Sequence, residues 1–247
     1  MLLDGKTALI TGCLKGIGYE AMQGFARQGA SIVACCQFHD LPFEERARQL
    51  AAETGVSITP LFFDLASTNE TLAAMRELVV GRRRIDILLN IAGMTEDALF
   101  SMTTMESMRR VFEINFFAQM LVTQYVSKLM IRQKFGSIIN VSSITAIDGN
   151  PGQISYGSSK AALIGATKTL ASELGEHGIR VNAVAPGVVR TDMTASIPAE
   201  SFARLCARIP MERAGVPAEV AGVLLFLASD LSSYVTGQVL RIDGGIG

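Results

Sequence analysis

Short apolar runs alternate with longer helical stretches along all 247 residues of this chain. The runs that fit buried strands are 6–11, 31–36, 57–63, 85–90, 136–142, 179–185 and 238–242. The helical stretches near them are 16–28, 43–54, 68–80, 104–133, 154–176 and 217–229. Such alternation predicts an α/β fold in which about seven parallel strands form a sheet with helices on both faces. The run 85–89 is almost wholly apolar, as a strand covered on both faces requires.

A glycine-rich turn follows the first predicted strand directly. It reads Gly12-Cys13-Leu14-Lys15-Gly16-Ile17-Gly18, and a helical run to about Gln28 comes next. In a dinucleotide-binding βαβ unit, glycines let the backbone approach a pyrophosphate, and the helix N-terminus offers unpaired N–H groups. The spacing is Gly-x-x-x-Gly-x-Gly rather than the common Gly-x-Gly-x-x-Gly. With no repeat or linker in the chain, we predict one doubly wound, Rossmann-type domain over 1–247 that is both dinucleotide-binding and catalytic.

Tyr156 and Lys160 lie four residues apart in a predicted helix, and Ser143 lies thirteen residues before the tyrosine. Four residues are just over one helical turn, so the two side chains share a face with their Cβ atoms about 5–6 Å apart. An ammonium beside a phenol favours the phenolate and so lowers the pKa of the tyrosine. Such a tyrosine can exchange the proton that a carbonyl oxygen receives during reduction. Because Tyr-x-x-x-Lys is common by chance, its weight depends on the accompanying glycine turn.

Composition limits the other functional classes. Hydrophobic residues make up 49% and charged residues 18%, which implies a large core or surface hidden in an oligomer. The net charge of −1 gives no reason to expect nucleic acid or an anionic membrane as partner. The four cysteines and two histidines show no metal-ligand spacing, and Cys35 and Cys36 should point to opposite faces of a strand. Met1-Leu2-Leu3 meets a charge at Asp4, so we expect no signal peptide and a reduced, cytoplasmic protein.

Taken together, these features resemble the short-chain dehydrogenase/reductase family over the full chain. The motifs that carry the resemblance follow the family's order: Thr11-Gly12-x-x-x-Gly16-Ile17-Gly18, Asn90-Ile91-Ala92-Gly93, Asn115, Ser143, Tyr156 with Lys160, and Pro186-Gly187 with Thr191. Ile91 replaces the family's second asparagine. The strings Gly93-Met94-Thr95-x-Asp97-x-Leu99, Gly149-Asn150-Pro151-Gly152-Gln153 and Tyr234-Val235-Thr236-Gly237-Gln238 are similar to the 3-oxoacyl-[acyl-carrier-protein] reductases of fatty acid biosynthesis. Sugar and polyol dehydrogenases share parts of these strings.

The resemblance implies a catalytic tetrad. Tyr156 is the expected acid in reduction and base in oxidation, and Lys160 would also hold the nicotinamide ribose hydroxyls. Ser143 would donate a hydrogen bond to the substrate oxygen, with neighbouring Ser142 as the competing candidate. Asn115 would bind a backbone carbonyl and hold a water that links Lys160 to solvent.

The resemblance also implies a set of cofactor contacts. The expected contacts are Gly12, Lys15, Gly16, Ile17, Gly18, Gln37, Asp64, Leu65, Asn90, Ala92, Gly93, Tyr156, Lys160, Pro186, Gly187, Val189 and Thr191. NAD-binding members carry an acidic residue after the second strand, where this chain has Cys36 and Gln37. Lys15 could pair with a 2′-phosphate, so NADP(H) is favoured and NAD(H) stays possible; no metal is expected.

The irregular stretch around 188–215 is a candidate mobile lid over the substrate. Thr95, Ile144, Gln153, Val188 and Met193 would line a mostly apolar pocket for a small carbonyl or alcohol substrate. If that substrate is carried on acyl carrier protein, basic residues should mark the docking site, and the matching positions are Lys134 and His177.

The predicted function is NADP(H)-dependent reduction of a 3-oxoacyl thioester. The alternatives are an NAD(P)-dependent sugar, polyol or other small-alcohol dehydrogenase and, more remotely, a non-catalytic dinucleotide-binding redox sensor. Fourteen of the twenty-one residues in 111–131 are apolar, more than one sheet face can cover. With the apolar run 220–227, this predicts a homotetramer with D₂ symmetry.

Overall fold

The computed structural model describes residues 1–81, 83–195 and 197–246, so that Arg82, Ser196 and Gly247 lie outside the described residues. Within this part of the chain, seven strands form one parallel sheet in the order β3-β2-β1-β4-β5-β6-β7. The strands are Thr7–Thr11 (β1), Ser31–Cys36 (β2), Ile58–Phe62 (β3), Ile87–Asn90 (β4), Gly136–Val141 (β5), Ile179–Pro186 (β6) and Val239–Ile242 (β7). The predicted strands all form, and their ends move by no more than two residues.

Helices connect these strands and cover both faces of the sheet. They are Gly16–Arg27 (α1), Leu41–Thr54 (α2), Thr68–Val80 (α3), Met105–Phe112 (α4), Ala118–Gln133 (α5), Thr145–Asp148 (α6), Ile154–Leu174 (α7), Asp192–Ala195 (α8), Ala199–Cys206 (α9) and Pro217–Ala228 (α10). The fold is the Rossmann-type doubly wound sheet that the alternation of strands and helices predicts, and this prediction is confirmed.

The core has one layer on each side of the sheet. On one side α1 packs against α10, and on the other α3 packs against α5. Successive residues of a strand point to opposite faces, and β2 shows this clearly. Cys36 belongs to the core layer of α1, and Cys35 belongs to the layer that contains α3 and α5. The prediction that these two cysteines face opposite sides is therefore confirmed.

The predicted helix 104–133 forms, but it is not α-helical throughout. A π-helical turn over Glu113–Phe117 separates α4 from α5. π-Turns of this kind are often found at functional sites, and this one contains Asn115. The stretch expected to be an irregular lid contains two short helices, α8 and α9, and an isolated parallel bridge joins Val189 to Gly215.

Candidate active site

A cavity of about 580 Å³ opens at the carboxyl ends of the strands. This is the edge where ligands bind in open α/β sheets. Most of the predicted cofactor residues line it: Gly12, Lys15, Gly16, Ile17, Gly18, Gln37, Asp64, Leu65, Ala92, Gly93, Tyr156, Lys160, Pro186, Gly187, Val189 and Thr191. Asn90 does not. Ser143 lines the cavity with them, so three of the four predicted catalytic residues, Ser143, Tyr156 and Lys160, share one space with the predicted cofactor contacts.

The glycine turn brings its backbone unusually close to neighbouring chain. A Cβ atom on Gly18 would lie 2.1 Å from the carbonyl oxygen of Gly12, and one on Gly12 would lie 3.0 Å from the Cα of Ala92. Gly12 also has φ +80, which disfavours any residue with a side chain. These glycines leave the cavity wall as bare backbone.

The N-terminus of α1 faces the same cavity and is free to bind an anion. Lys15, the N-cap residue, makes no side-chain cap bond, and no acidic residue stands in the first turn. The first N–H groups of a helix lack intrahelical partners, and the helix dipole there favours negative charge. Bare backbone followed by an uncapped helix start suits a pyrophosphate, so the residues present fit a dinucleotide cofactor.

Ser143 and Tyr156 line the same cavity, and the Ser143 side chain acts on the phenol as a hydrogen-bonding group that lowers the pKa of Tyr156. Ser142, the competitor of Ser143 in the sequence, also lines the cavity, but its hydroxyl is engaged in donating to the carbonyl oxygen of Lys160 at 2.8 Å. Ser142 therefore ties the segment after β5 to α7, and the geometry favours Ser143 as the group that meets the substrate oxygen.

Burial decides the pKa values of Tyr156 and Lys160. The pKa of Tyr156 is raised, mainly because the phenol is buried and further because of the Asp97 carboxylate, while the Ser143 hydrogen bond opposes both. Burial lowers the pKa of Lys160 to about 8. Its Nζ donates to the carbonyl oxygen of Val141 at 2.8 Å and lies 5.9 Å from the centre of the Tyr156 ring. The sequence predicted a lowered tyrosine pKa; the direction is the opposite, because desolvation of the phenol dominates.

Asn115 stands behind the cavity wall and is fully buried. Its Oδ1 accepts from the Met94 N–H at 2.8 Å, and its Nδ2 donates to the Met94 carbonyl at 2.9 Å and to Ser159 Oγ at 3.0 Å. The expected bond to a backbone carbonyl is therefore present. Asn115 pins the segment after β4 to α7 beside Gly93, whose Cβ, if present, would lie 3.1 Å from Lys160 Nζ.

Asn90 was expected among the cofactor contacts but lies inside the sheet layer. Its Nδ2 donates to Thr123 Oγ1 and to Asn140 Oδ1, both at 2.8 Å. Asn140 in turn donates to Thr167 at 2.8 Å. Asn90 is the last residue of β4 and points toward α5, whereas Ala92 and Gly93 extend past the strand end into the cavity. Its contribution is to join β4, β5, α5 and α7.

Lys15 forms an ion pair across the mouth of the cavity. Its Nζ lies 3.1 Å from Asp192 Oδ2, and both side chains are exposed. At the end of β2, Cys36 and Gln37 line the cavity. The pKa of Cys36 is raised to about 12, by burial first and then by the carboxylates of Asp40 and Glu44.

The predicted substrate pocket is only partly present. Met193 lines the main cavity. Val188 lines a second cavity of about 330 Å³, which residues of the segment 211–216 also line. Thr95, Ile144 and Gln153 lie outside both cavities. Instead, Gln153 donates to Asp97 Oδ2 at 3.0 Å. The sequence predicted no role for Asp97, although this residue lies within the motif Gly93-Met94-Thr95-x-Asp97-x-Leu99.

Lys134 and His177 are neighbours, but they lie far from the cavity. A Cβ on Gly178 would be 2.6 Å from the Lys134 carbonyl oxygen, so the two segments touch. Both precede a strand, β5 and β6, and so stand at the amino edge of the sheet, opposite the cavity. About 20 residues of helix and turn, or about 30 Å, separate His177 from Tyr156.

In the described part of the chain, none of the helices combines the length and apolar character that crossing a bilayer needs. Among the same residues, no cluster of three or more histidine, cysteine or acidic side chains could hold a metal ion.

Comparisons with known proteins give relatives over the full chain. A family model described as "Enoyl-(Acyl carrier protein) reductase" matches residues 12–247. The 3-oxoacyl-[acyl-carrier-protein] reductase FabG of Thermotoga maritima is 44% identical over 248 residues, covering 100% of this chain and 99% of the relative.

Two solved structures share the fold closely. A provisionally assigned NAD(P)-dependent gluconate 5-dehydrogenase from Beutenbergia cavernae, with NADP bound at low occupancy, has a TM-score of 0.93 and 36% identity, covering 98% of this chain and 97% of its own. A short-chain type dehydrogenase/reductase from Mycobacterium marinum has a TM-score of 0.91 and 32% identity, covering 99% and 96%.

Proposed function

The chain belongs to the short-chain dehydrogenase/reductase family, and we propose that it reduces the keto group of a 3-oxoacyl thioester with NADPH. As a member of this family it is an oxidoreductase that interconverts a carbonyl and an alcohol with a nicotinamide dinucleotide. The thioester follows from the Thermotoga maritima relative, which carries that activity in its name and matches over the full length.

The placement of Ser143 and Tyr156 in one cavity, where the serine side chain acts on the phenol, carries the proposal. Two hydroxyl groups at one point of the cavity can both bind a substrate carbonyl oxygen, and Tyr156 can then give its proton to that oxygen. A raised pKa keeps the phenol protonated at neutral pH, which is the form that reduction needs. When bound, the nicotinamide supplies the hydride.

Lys160 and Asn115 support this pair from behind. With a pKa of about 8, Lys160 holds its proton at neutral pH and can place positive charge beside the ribose and the phenol. Asn115 fixes the loop that carries Gly93 against α7. We propose that these bonds of Asn115 keep Gly93, in the cavity wall, at the distance from Lys160 that the lysine needs in order to reach the cofactor.

For the cofactor we propose NADP(H) over NAD(H). The end of β2 presents Cys36 and Gln37 to the cavity, and neither repels a 2′-phosphate. Lys15 lies at the same mouth. Its pairing with Asp192 is exposed and so contributes little, and a doubly charged phosphate can displace it. The Beutenbergia cavernae structure has NADP bound.

We further propose that 188–215 is a lid within the single domain. The bridge between Val189 and Gly215 anchors its two ends, and Thr191, Asp192, Met193 and Thr194 face the cavity between them. Lys15 and Asp192 join the lid to the glycine turn. Opening this segment would let cofactor and substrate enter.

A homotetramer, a cytoplasmic location and a role in fatty acid biosynthesis complete the proposal. Phe117 on the α4–α5 side is 54% exposed, and Leu231 and Tyr234 beyond α10 are more exposed still. Large apolar side chains on two separate surfaces suit the two contacts that D₂ symmetry needs. Acyl carrier protein is the proposed carrier of the substrate. Lys134 and His177 could bind the carrier protein only at the amino edge of the sheet, which is remote from the cavity of their own subunit.

The alternative function is a sugar-acid or polyol dehydrogenase, which the name of the Beutenbergia cavernae neighbour favours. An NADPH oxidation assay separates the two. Acetoacetyl thioester, crotonyl thioester, a keto sugar acid and a small diketone would be compared at equal concentration, with Tyr156→Phe as the inactive control.

We expect the highest kcat/KM with the acetoacetyl thioester. Faster turnover of the sugar acid would support the alternative, and faster turnover of the crotonyl thioester would support the enoyl reduction named by the family model. NADPH binding without oxidation of any compound would support a redox sensor.

A further inference from the structure

A second hydrogen-bonded group borders the Ser143–Tyr156 pair on the outside. Asp97 lies in the segment after β4, which is held against the segment before α7 by the Ala98 N–H donating to the Gly152 carbonyl at 2.9 Å. The Asp97 carboxylate accepts from Gln153 Nε2 at 3.0 Å and from the Thr95 hydroxyl. Because Gln153 is the N-cap residue of α7, Asp97 is held at the start of the helix that carries Tyr156.

The hydrogen bonds continue from Gln153 into the catalytic pair. Gln153 Oε1 accepts from Thr145 Oγ1 at 3.2 Å, and the Thr145 N–H donates to Ser143 Oγ at 3.2 Å. Ser143 in turn acts on the Tyr156 phenol. Asp97 is thus linked through Gln153 and Thr145 to the Ser143 hydroxyl that is proposed to bind the substrate oxygen.

The charges around Tyr156 are few. Lys160 faces it from its own helix, uncharged Ser143 faces it from the segment after β5, and Asp97 acts on it from the segment after β4. Glu96, next to Asp97 in the chain, forms an ion pair with Arg110 at 2.6 Å, and Asp148, which precedes α7, forms one with Arg241 at 2.7 Å.

The ion pairs among residues 1–81, 83–195 and 197–246 give Asp97 no cationic partner. Its negative charge is therefore not neutralised by an ion pair, and it acts on Tyr156 from the segment after β4.

We propose that Asp97 determines specificity by charge, disfavouring substrates with a negative group close to the reacting carbonyl and so selecting neutral 3-oxo esters and thioesters over 3-oxo acids. This inference rests on the proposed role of Ser143 and Tyr156 in binding the carbonyl oxygen. Since Asp97 is exposed and water screens it, the discrimination is modest, about 3- to 10-fold.

Asp97→Asn tests the proposal with minimal change of shape. The asparagine carbonyl can accept from Gln153, and its amide can donate to the Thr95 hydroxyl, which serves as donor or acceptor. The substrates are ethyl acetoacetate and acetoacetate, which share the keto group and differ in one negative charge. We expect the ester-to-acid ratio of kcat/KM to fall by about 3- to 10-fold in the variant, mainly through faster reduction of the acid.

Glu176→Gln is the matched control, because it also removes one negative charge but lies at the far end of α7, about 30 Å away along the helix axis. Its ratio should equal that of the unchanged protein. Added salt should lower the ratio of the unchanged protein and leave that of Asp97→Asn nearly constant. A ratio that Asp97→Asn does not alter would overturn the proposal.

A titration that needs no substrate keeps the proposal testable if the protein reduces neither compound, an outcome that would count against the proposed function alone. The phenolate absorbance of Tyr156 is obtained by subtracting the Tyr156→Phe spectrum on the same background. Removing the Asp97 charge should lower the pKa of Tyr156, since that charge raises it. A merely structural role for Asp97 would leave this pKa in place, and an unchanged value would refute the proposal.

Discussion

Replacing Lys160 by methionine should make the cofactor-free protein more stable at neutral pH while abolishing activity. Lys160 is 3% exposed, and burial lowers its pKa from 10.5 to about 8. A difference of about 2.5 pKa units corresponds to about 3 kcal/mol, which is the cost of keeping the ammonium buried. The variant loses the bond from Nζ to the Val141 carbonyl, worth about 1 kcal/mol. We expect a net gain of about 2 kcal/mol in the free energy of unfolding at pH 7.

The stability difference between the two proteins should depend on pH, in a direction set by the lowered pKa of Lys160. Below pH 8 the lysine is protonated in both the folded and the unfolded chain, so the full cost is present. Between pH 8 and pH 10.5 the folded protein has released the proton while the unfolded chain still binds it, so the stability of the unchanged protein rises with pH. Methionine does not titrate, and the advantage of the variant should therefore shrink by about 3 kcal/mol over this range.

Urea unfolding of both proteins at pH 7 and pH 10 measures the effect. The protein concentration must be equal throughout, because the stability of an oligomer depends on it. Lys168→Met is the matched control, since Lys168 is exposed on the same helix and its loss removes no charge from the interior. A Lys160→Met protein that is less stable at pH 7, or whose advantage is the same at both pH values, would refute the reasoning.

Three further predictions concern the chemistry, the cofactor and the assembly. Tyr156→Phe should lower kcat by about 10²–10⁴ with an unchanged urea midpoint, because the ring still fills its place; near-normal turnover would contradict the assignment. Cys36→Asp should weaken the binding of NADPH and favour that of NADH. Lys15→Ala should raise the KM for NADPH more than the KM for NADH. If neither variant changes the preference between the two cofactors, the 2′-phosphate binds elsewhere. Light scattering should give about four times the chain mass of 26.4 kDa. A stable dimer would support only one of the two proposed interfaces, and a monomer would contradict both.

Most of the fold could be predicted because each strand is marked by a local pattern. In β2, apolar residues fill both faces, and the strand begins and ends where the pattern does. The carboxyl edge of the sheet was equally predictable, since parallel strands all end on the same side. The glycine turn, Tyr156 and Lys160 meet there because each follows or packs against such an end.

The electrostatics of the site could not be predicted from spacing. Tyr156 and Lys160 share a helical face, which suggested that the ammonium would lower the tyrosine pKa. Desolvation depends on everything packed around the phenol, and that packing comes from distant parts of the chain. Asp97 was missed for a related reason: 56 residues separate it from Gln153, and only the fold brings the two together.

Asn115 shows how a local irregularity places a candidate catalytic side chain. Its flanking sequence, Phe112 to Phe117, is apolar enough to read as one uninterrupted helix, and periodicity carries no signal for a π-turn. The turn adds a residue to the helical repeat and so rotates α5 relative to α4. Asn115 thereby faces inward, where its amide meets the N–H and the carbonyl of Met94 and the hydroxyl of Ser159. A buried amide with fewer partners would cost about 1–3 kcal/mol. The irregular turn is therefore sustained by the same bonds that hold the loop of Gly93 beside Lys160.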